Sequence, residues 1–159
     1  ASVPLDLRDS VEELQKPLKS FYMDRFLRKL EVKIKLKSKK FPDNDFFKGE
    51  AKTKNFFEFD SKYTAPLHGY KDAFDFYEKA STKPLLGNIT IPTLIVQALN
   101  DPFLGGKCFD LGNADKNNNL RLLLPEKGGH VGFMQSGLKS SFVEDQALAF
   151  YKDLKKASE

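Results

Sequence analysis

From Leu7 onward, apolar residues recur at three- and four-residue spacing: Leu14, Leu18, Phe21 and Tyr22, then Phe26, Leu30 and Ile34. That period places them on one face and predicts helix. Asp9 or Ser10 is positioned to cap its start, and Glu12 and Glu13 suit the positive end of a helix. Pro17 reads as the first turn of a second helix, because a proline inside one long helix would break it. Val32, Ile34 and Leu36 alternate with Lys33, Lys35 and Lys37, which also fits a strand; helix is preferred because it continues the preceding period. Residues 41–66 show no clean period, yet Phe46, Phe47, Phe56, Phe57 and Phe59 are too many to leave in water, so they are expected to face a cleft or pack beneath the helices. Residues 72–81 read as a short helix with Phe74, Tyr77 and Ala80 inward.

The pattern changes at Asn88. Residues 89–99 form a near-continuous β-branched and apolar run, as expected of a parallel strand covered on both faces. The run ends at Asn100-Asp101-Pro102, a turn with a carboxylate at the strand tip. A Gly- and Asn-rich stretch follows, and a second short strand over 120–124 opens into a loop holding Gly128-Gly129-His130. Residues 141–156 close the chain as a helix. Ser141 and Glu144 form a capping box, and Val143, Ala147, Phe150, Tyr151 and Leu154 form the stripe expected to be buried. Strand, loop, strand, loop, helix in this order predicts an α/β sheet.

Composition narrows the classes. The chain has 159 residues, 40% hydrophobic and 30% charged, with 15 Phe and no Trp, enough for a packed core. A single cysteine, Cys108, cannot close an internal disulfide and is expected to be packing. Two distant histidines without a cysteine pair predict no metal site, and no cofactor motif is present. No run approaches the length of a transmembrane segment. Ala1-Ser2-Val3-Pro4 has no initiator Met, basic region or apolar leader, and reads as a sequence entered midway. A cytoplasmic location is the default on these signals. Residues 25–54 hold 11 basic and 4 acidic side chains, while the whole chain is +4. This stretch reads as a solvated helix face; no nucleic-acid motif accompanies it, and no nucleic-acid partner is expected.

Open α/β sheets carry their reactive groups beyond the carboxyl ends of the strands, where Asp101 and His130 both fall. An Asp that accepts from one ring nitrogen fixes the His tautomer, leaving the other nitrogen to take a proton from a serine. Spacing alone leaves the pair open. An Asp before Pro is more often a turn former, and a His after two glycines is more often a loop residue.

Four blocks carry a resemblance. They are Ser2-Val3-Pro4-Leu5-Asp6-Leu7; Tyr63-Thr64-Ala65-Pro66-Leu67-His68-Gly69-Tyr70; Ile91-Pro92-Thr93-Leu94 through Asn100-Asp101-Pro102-Phe103; and Gly128-Gly129-His130-Val131-Gly132-Phe133. In this order they resemble the YheT/EMB8-like esterase family of α/β-hydrolases, across almost the whole chain. The resemblance implies the C-terminal part of that fold, with its last three parallel strands and a helical cap insertion. Residues 1–6 would be a core strand, 7–87 the cap, and 88–159 the C-terminal core. It implies Asp101 as triad acid and His130 as triad base, acting on a small hydrophobic ester.

It also implies that the serine nucleophile and oxyanion hole lie in an N-terminal half, supplied in cis or in trans. No serine here sits in a G-x-S-x-G-type elbow, and Ser2, Ser136 and Ser140 lack one. The chain alone is therefore expected to be inactive. Its sheet should be incomplete, with an edge prone to association. The alternative is a non-catalytic half-domain that binds a partner or a lipid. His68, in the cap signature, is expected to pin the turn over 66–69 to the sheet through hydrogen bonds, with a place lining the substrate cleft as the alternative.

Overall fold

The computed structural model describes residues 2–137 and 139–157. The chain divides into two compact units, one formed by Val11–Ala80 and the other by Ala1–Ser10 together with Ser81–Glu159. Helix α1 (Leu7–Leu14) carries the chain from the latter into the former. Its cap is Asp6, whose Oδ1 accepts from Asp9 N–H at 2.9 Å. The expected caps are engaged elsewhere: Asp9 accepts from Lys107 N–H, and Ser10 Oγ lies 3.3 Å from Cys108 Sγ.

In the unit Val11–Ala80, the long helix α2 (Ser20–Lys40) begins three residues after Pro17, which lies in the preceding turn. The helix runs through the ambiguous Val32–Lys37 stretch, so the period of 3.6 prevails there. Its buried face differs from the expected one. Met23, Leu27 and Ile34 are buried with Leu30 packed beside them, whereas Leu18 and Phe21 are exposed. Two apolar stripes run along α2, and periodicity does not say which one meets the aromatics of residues 46–63. Met23, Leu27 and Ile34 share one core with Phe47, Phe59 and Tyr63, in which Phe46 and Phe47 stack edge to face at 5.3 Å.

Two short helices, α3 (Phe56–Phe59) and α4 (Ala65–Leu67), flank a wide π-type turn over Asp60–Thr64. α5 (Ala73–Ala80) follows and buries Ala73 and Tyr77, while Phe74 stays half-exposed. Asp60 is buried, and its carboxylate accepts from Thr64 Oγ1 and from Tyr77 OH, both at 2.6 Å. Burial pushes the Asp60 carboxyl above the usual carboxylate range, against the two hydrogen bonds.

The second unit holds a parallel two-stranded sheet, β1 (Thr93–Val96) beside β2 (Leu120–Leu123), in the register Thr93↔Leu120 to Val96↔Leu123. β1 is shorter than its apolar run because Pro92 donates no ladder hydrogen bond and Ile91 is left in solvent. Among the described residues the expected third strand is not formed. Residues 2–6 contribute one ladder-like bond, Ser2 N–H to Val96 O at 2.9 Å. Within a strand the N–H and C=O of one residue point the same way. Thr93 and Gln97 donate to the β2 side, so Val96 O faces the opposite edge. That is the edge left open to a third strand; Pro4 and the left-handed backbone of Ser2 (φ 57°) prevent a continuous ladder there. Ala1, at the head of that strand, lies outside the described residues.

Leu5, Leu86, Ile95, Leu111 and Ala114 form one core, and Val96, Ala98 and Phe133 form another. The closing helix α6 (Phe142–Ala157) starts with the expected capping box: Ser141 N–H donates to Glu144 Oε2, and Glu144 N–H to Ser141 Oγ. Phe142 and Val143 pack on the second core, but the stripe beyond them stays largely open, with Tyr151 65% exposed. Two short strands form too narrow a platform to cover it.

Candidate active site

Asp101 and His130 come together in the second unit. After Val96 the β1 chain bends: Leu99 N–H bonds Pro125 O at 2.9 Å, and Asp101 N–H bonds Ala98 O at 3.0 Å. Asp101 Oδ1 accepts from Phe103 N–H at 2.8 Å, an Asx turn, while Oδ2 lies 2.9 Å from His130 Nδ1. The turn-forming and His-holding roles are thus divided between the two oxygens of one carboxylate, whose side chain is fully buried.

The loop that presents His130 is fastened at both ends. Asn100 Oδ1 accepts from Gly128 N–H at 3.0 Å and from Gly129 N–H at 2.9 Å. Phe133 N–H bonds Gly128 O, and Phe142 N–H bonds Phe133 O. Gly128 is required by close approach: a Cβ there would lie 2.6 Å from the Phe133 ring and 2.8 Å from Ala98 Cβ. Phe133 is buried with φ 46°, and Gly129 has φ 62°, a pair of left-handed residues that folds the loop back on itself. The Phe103 ring stands edge-on to the imidazole at 4.5 Å. Two apolar residues that follow His130 in its loop, Val131 and Met134, are exposed.

A carboxylate only accepts, so Nδ1 donates, and in the neutral ring Nε2 keeps a free lone pair. The His130 side chain is 37% exposed, and Nε2 makes no hydrogen bond among the described residues. A half-exposed imidazole with one nitrogen held by a buried carboxylate and the other open can exchange a proton with a reacting group.

Asn100 was not singled out in the sequence. The available signal was an Asx side chain ending a strand ahead of a Gly-Gly pair, whose N–H groups need acceptors. His68, in the other unit, does not act as expected. It is exposed and its ring makes no hydrogen bond among the described residues; backbone bonds from His68, Gly69 and Tyr70 close that turn. Cys108 is fully buried, and its carbonyl accepts from Gln97 Nε2. No group of three metal-ligating side chains occurs among the described residues, and no helix there is long and apolar enough to cross a membrane.

No family model matches the chain, and neither does any solved structure. Individual relatives do match. Phospholipase ABHD3 of Homo sapiens is 31% identical over 128 residues, covering 78% of this chain and 31% of that protein. The putative esterase YheT of Escherichia coli is 42% identical over 77 residues, covering 48% of this chain and 22% of that protein. Monoacylglycerol lipase of Saccharomyces cerevisiae is 33% identical over 78 residues, covering 49% of this chain and 17% of that protein. The chain thus spans at most about a third of the length of these relatives. A phospholipase, an esterase and a lipase thus each match part of the chain, which is similar to α/β-hydrolases of the YheT and ABHD3 kind.

Proposed function

We propose that this chain is the C-terminal part of a carboxylic-ester hydrolase and supplies the acid and base of a Ser-His-Asp triad. The nucleophile and oxyanion hole come from an N-terminal part outside these 159 residues. The observation that carries this is the 2.9 Å contact between buried Asp101 Oδ2 and His130 Nδ1, made by the loops that leave two adjacent parallel strands. In the assembled site His130 Nε2 takes the serine proton as the oxygen attacks the ester carbonyl, then returns it to the leaving alcohol. Asp101 holds the ring and stabilises the imidazolium. The relatives' names support an ester substrate, and the apolar residues beside His130 favour an acyl chain. Residues 7–87 are the cap insertion of such an enzyme.

On this reading the chain alone has no activity. His130 makes no hydrogen bond to any described serine, and Ser2 Oγ is buried without a partner. The test uses a fluorophosphonate probe and a chromogenic short-chain ester. The 159-residue chain should neither label nor hydrolyse. A longer gene product carrying the preceding segment should do both, and His130→Ala or Asp101→Asn should abolish its turnover. Labelling of the short chain at any serine would refute the division of the triad. Unchanged turnover in both variants would refute the assignment of acid and base.

A further inference from the structure

The outer face of α2 plays no part in that chemistry and is built unlike an ordinary solvated helix face. Opposite the buried stripe of Met23, Leu27, Leu30 and Ile34, three large apolar side chains lie in solvent: Phe21 at 58%, Val32 at 57% and Leu36 at 61% exposure. They fall on one face with Arg25, Arg28, Lys29 and Lys39, all exposed. The helix carries eight basic residues and two acidic ones. Of the acids, Glu31 is engaged by Lys35 at 2.5 Å, and Asp24 lies at the margin of the stripe. Arg25, Lys29 and Lys39 form no ion pair among the described residues.

We propose that this face docks on an anionic membrane surface. The inference is independent of the triad. A helix of this length is about 30 Å long and can lie in the plane of a lipid interface. Phe21, Val32 and Leu36 would enter the boundary between headgroups and acyl chains. The long Arg and Lys side chains would keep their stems on that boundary and their charges among lipid phosphates. The aliphatic members of the stripe argue for lipid over nucleic acid. Val32 and Leu36 offer no ring on which a base can stack, and desolvating them against a phosphate backbone has no compensating contact.

The experiment is co-sedimentation of the purified protein with vesicles of phosphatidylcholine alone or of phosphatidylcholine mixed with phosphatidylserine, at low and high salt. A single-stranded RNA oligonucleotide serves as a competitor. Binding should require phosphatidylserine and weaken with salt. The triple variants Phe21→Gln/Val32→Gln/Leu36→Gln and Arg25→Glu/Lys29→Glu/Lys39→Glu should each lose at least about tenfold in vesicle affinity. All six side chains point to solvent, so helix content by circular dichroism should be unchanged, which separates lost docking from lost folding. Absence of vesicle binding, equal binding to both vesicle types, or displacement from vesicles by RNA at matched ionic strength would overturn the proposal.

Discussion

The crowding at Gly128 gives a quantitative test of how the histidine loop is held. Substituting Gly128→Ala places a Cβ 2.6 Å from Phe133 Cδ1 and 2.8 Å from Ala98 Cβ. Ordinary carbon contacts begin near about 3.5 Å, so each neighbour would have to retreat by roughly 0.7–0.9 Å. Neither can do so freely. Ala98 Cβ is fixed to the backbone just beyond β1, and the Phe133 ring is 2% exposed and packed on Val96 and Ala98. Overpacking of this kind costs about 1–3 kcal/mol. Stiffening the unfolded chain by adding the methyl returns about 0.4–1 kcal/mol. The net expectation is destabilisation by about 1–2 kcal/mol, with the loop displaced from Asp101. Urea unfolding followed by circular dichroism gives the first quantity. The downfield Nδ1 proton of His130 reports the second. Ala98→Gly removes one of the two clashes, so the double variant should be less destabilised than the sum of the singles. A Gly128→Ala protein within about 0.5 kcal/mol of wild type, with the Nδ1 resonance intact, would refute the packing argument.

Three further outcomes follow from other parts of the structure. Asn100→Ala removes the shared acceptor of Gly128 and Gly129; the site is solvated, so about 1 kcal/mol is expected, together with faster amide exchange at both glycines, while Asn100→Asp should restore their protection. The raised Asp60 carboxyl keeps its proton to higher pH in the folded state than in the unfolded one, so stability should fall as pH rises from the ordinary carboxylate value of 3.8 through the raised one. Asp60→Asn should flatten that dependence in urea midpoints measured across the acid range, and Tyr77→Phe should cost about 1.5–3 kcal/mol by removing a buried donor to the carboxylate. Ser141→Ala should lower stability by about 1 kcal/mol through the lost cap of α6, seen as earlier fraying of its first turn in hydrogen exchange.

The parts of the fold that could be read from the chain are those decided locally. The capping box at Ser141 and Glu144 is one; the two apolar runs that became β1 and β2 are another, and so is the helix through residues 20–40. The places of Asp101 and His130 after the two strands were legible because they are local, whereas their pairing followed only from the resemblance. Features decided by distant partners were not. Asp6 caps α1 because Asp9 is drawn to Lys107, nearly a hundred residues away. Which stripe of α2 is buried depends on Phe47, Phe59 and Tyr63 arriving against it. Asn100 looks like a turn residue until the Gly128–Gly129 backbone is brought to it. The N-terminal strand failed for a related reason, since a parallel strand is stabilised by its ladder and, among the described residues, one backbone bond, Ser2 N–H to Val96 O, joins it to β1.

Neither oxygen of Asp101 meets water directly. One is sealed by the Phe103 amide, the other by the His130 ring, and the carboxylate has no exposed surface. The Nδ1 proton therefore lies inside the pair, while Nε2 stands at the half-exposed side of the ring. Isotope entering from water should therefore reach Nε2 before Nδ1.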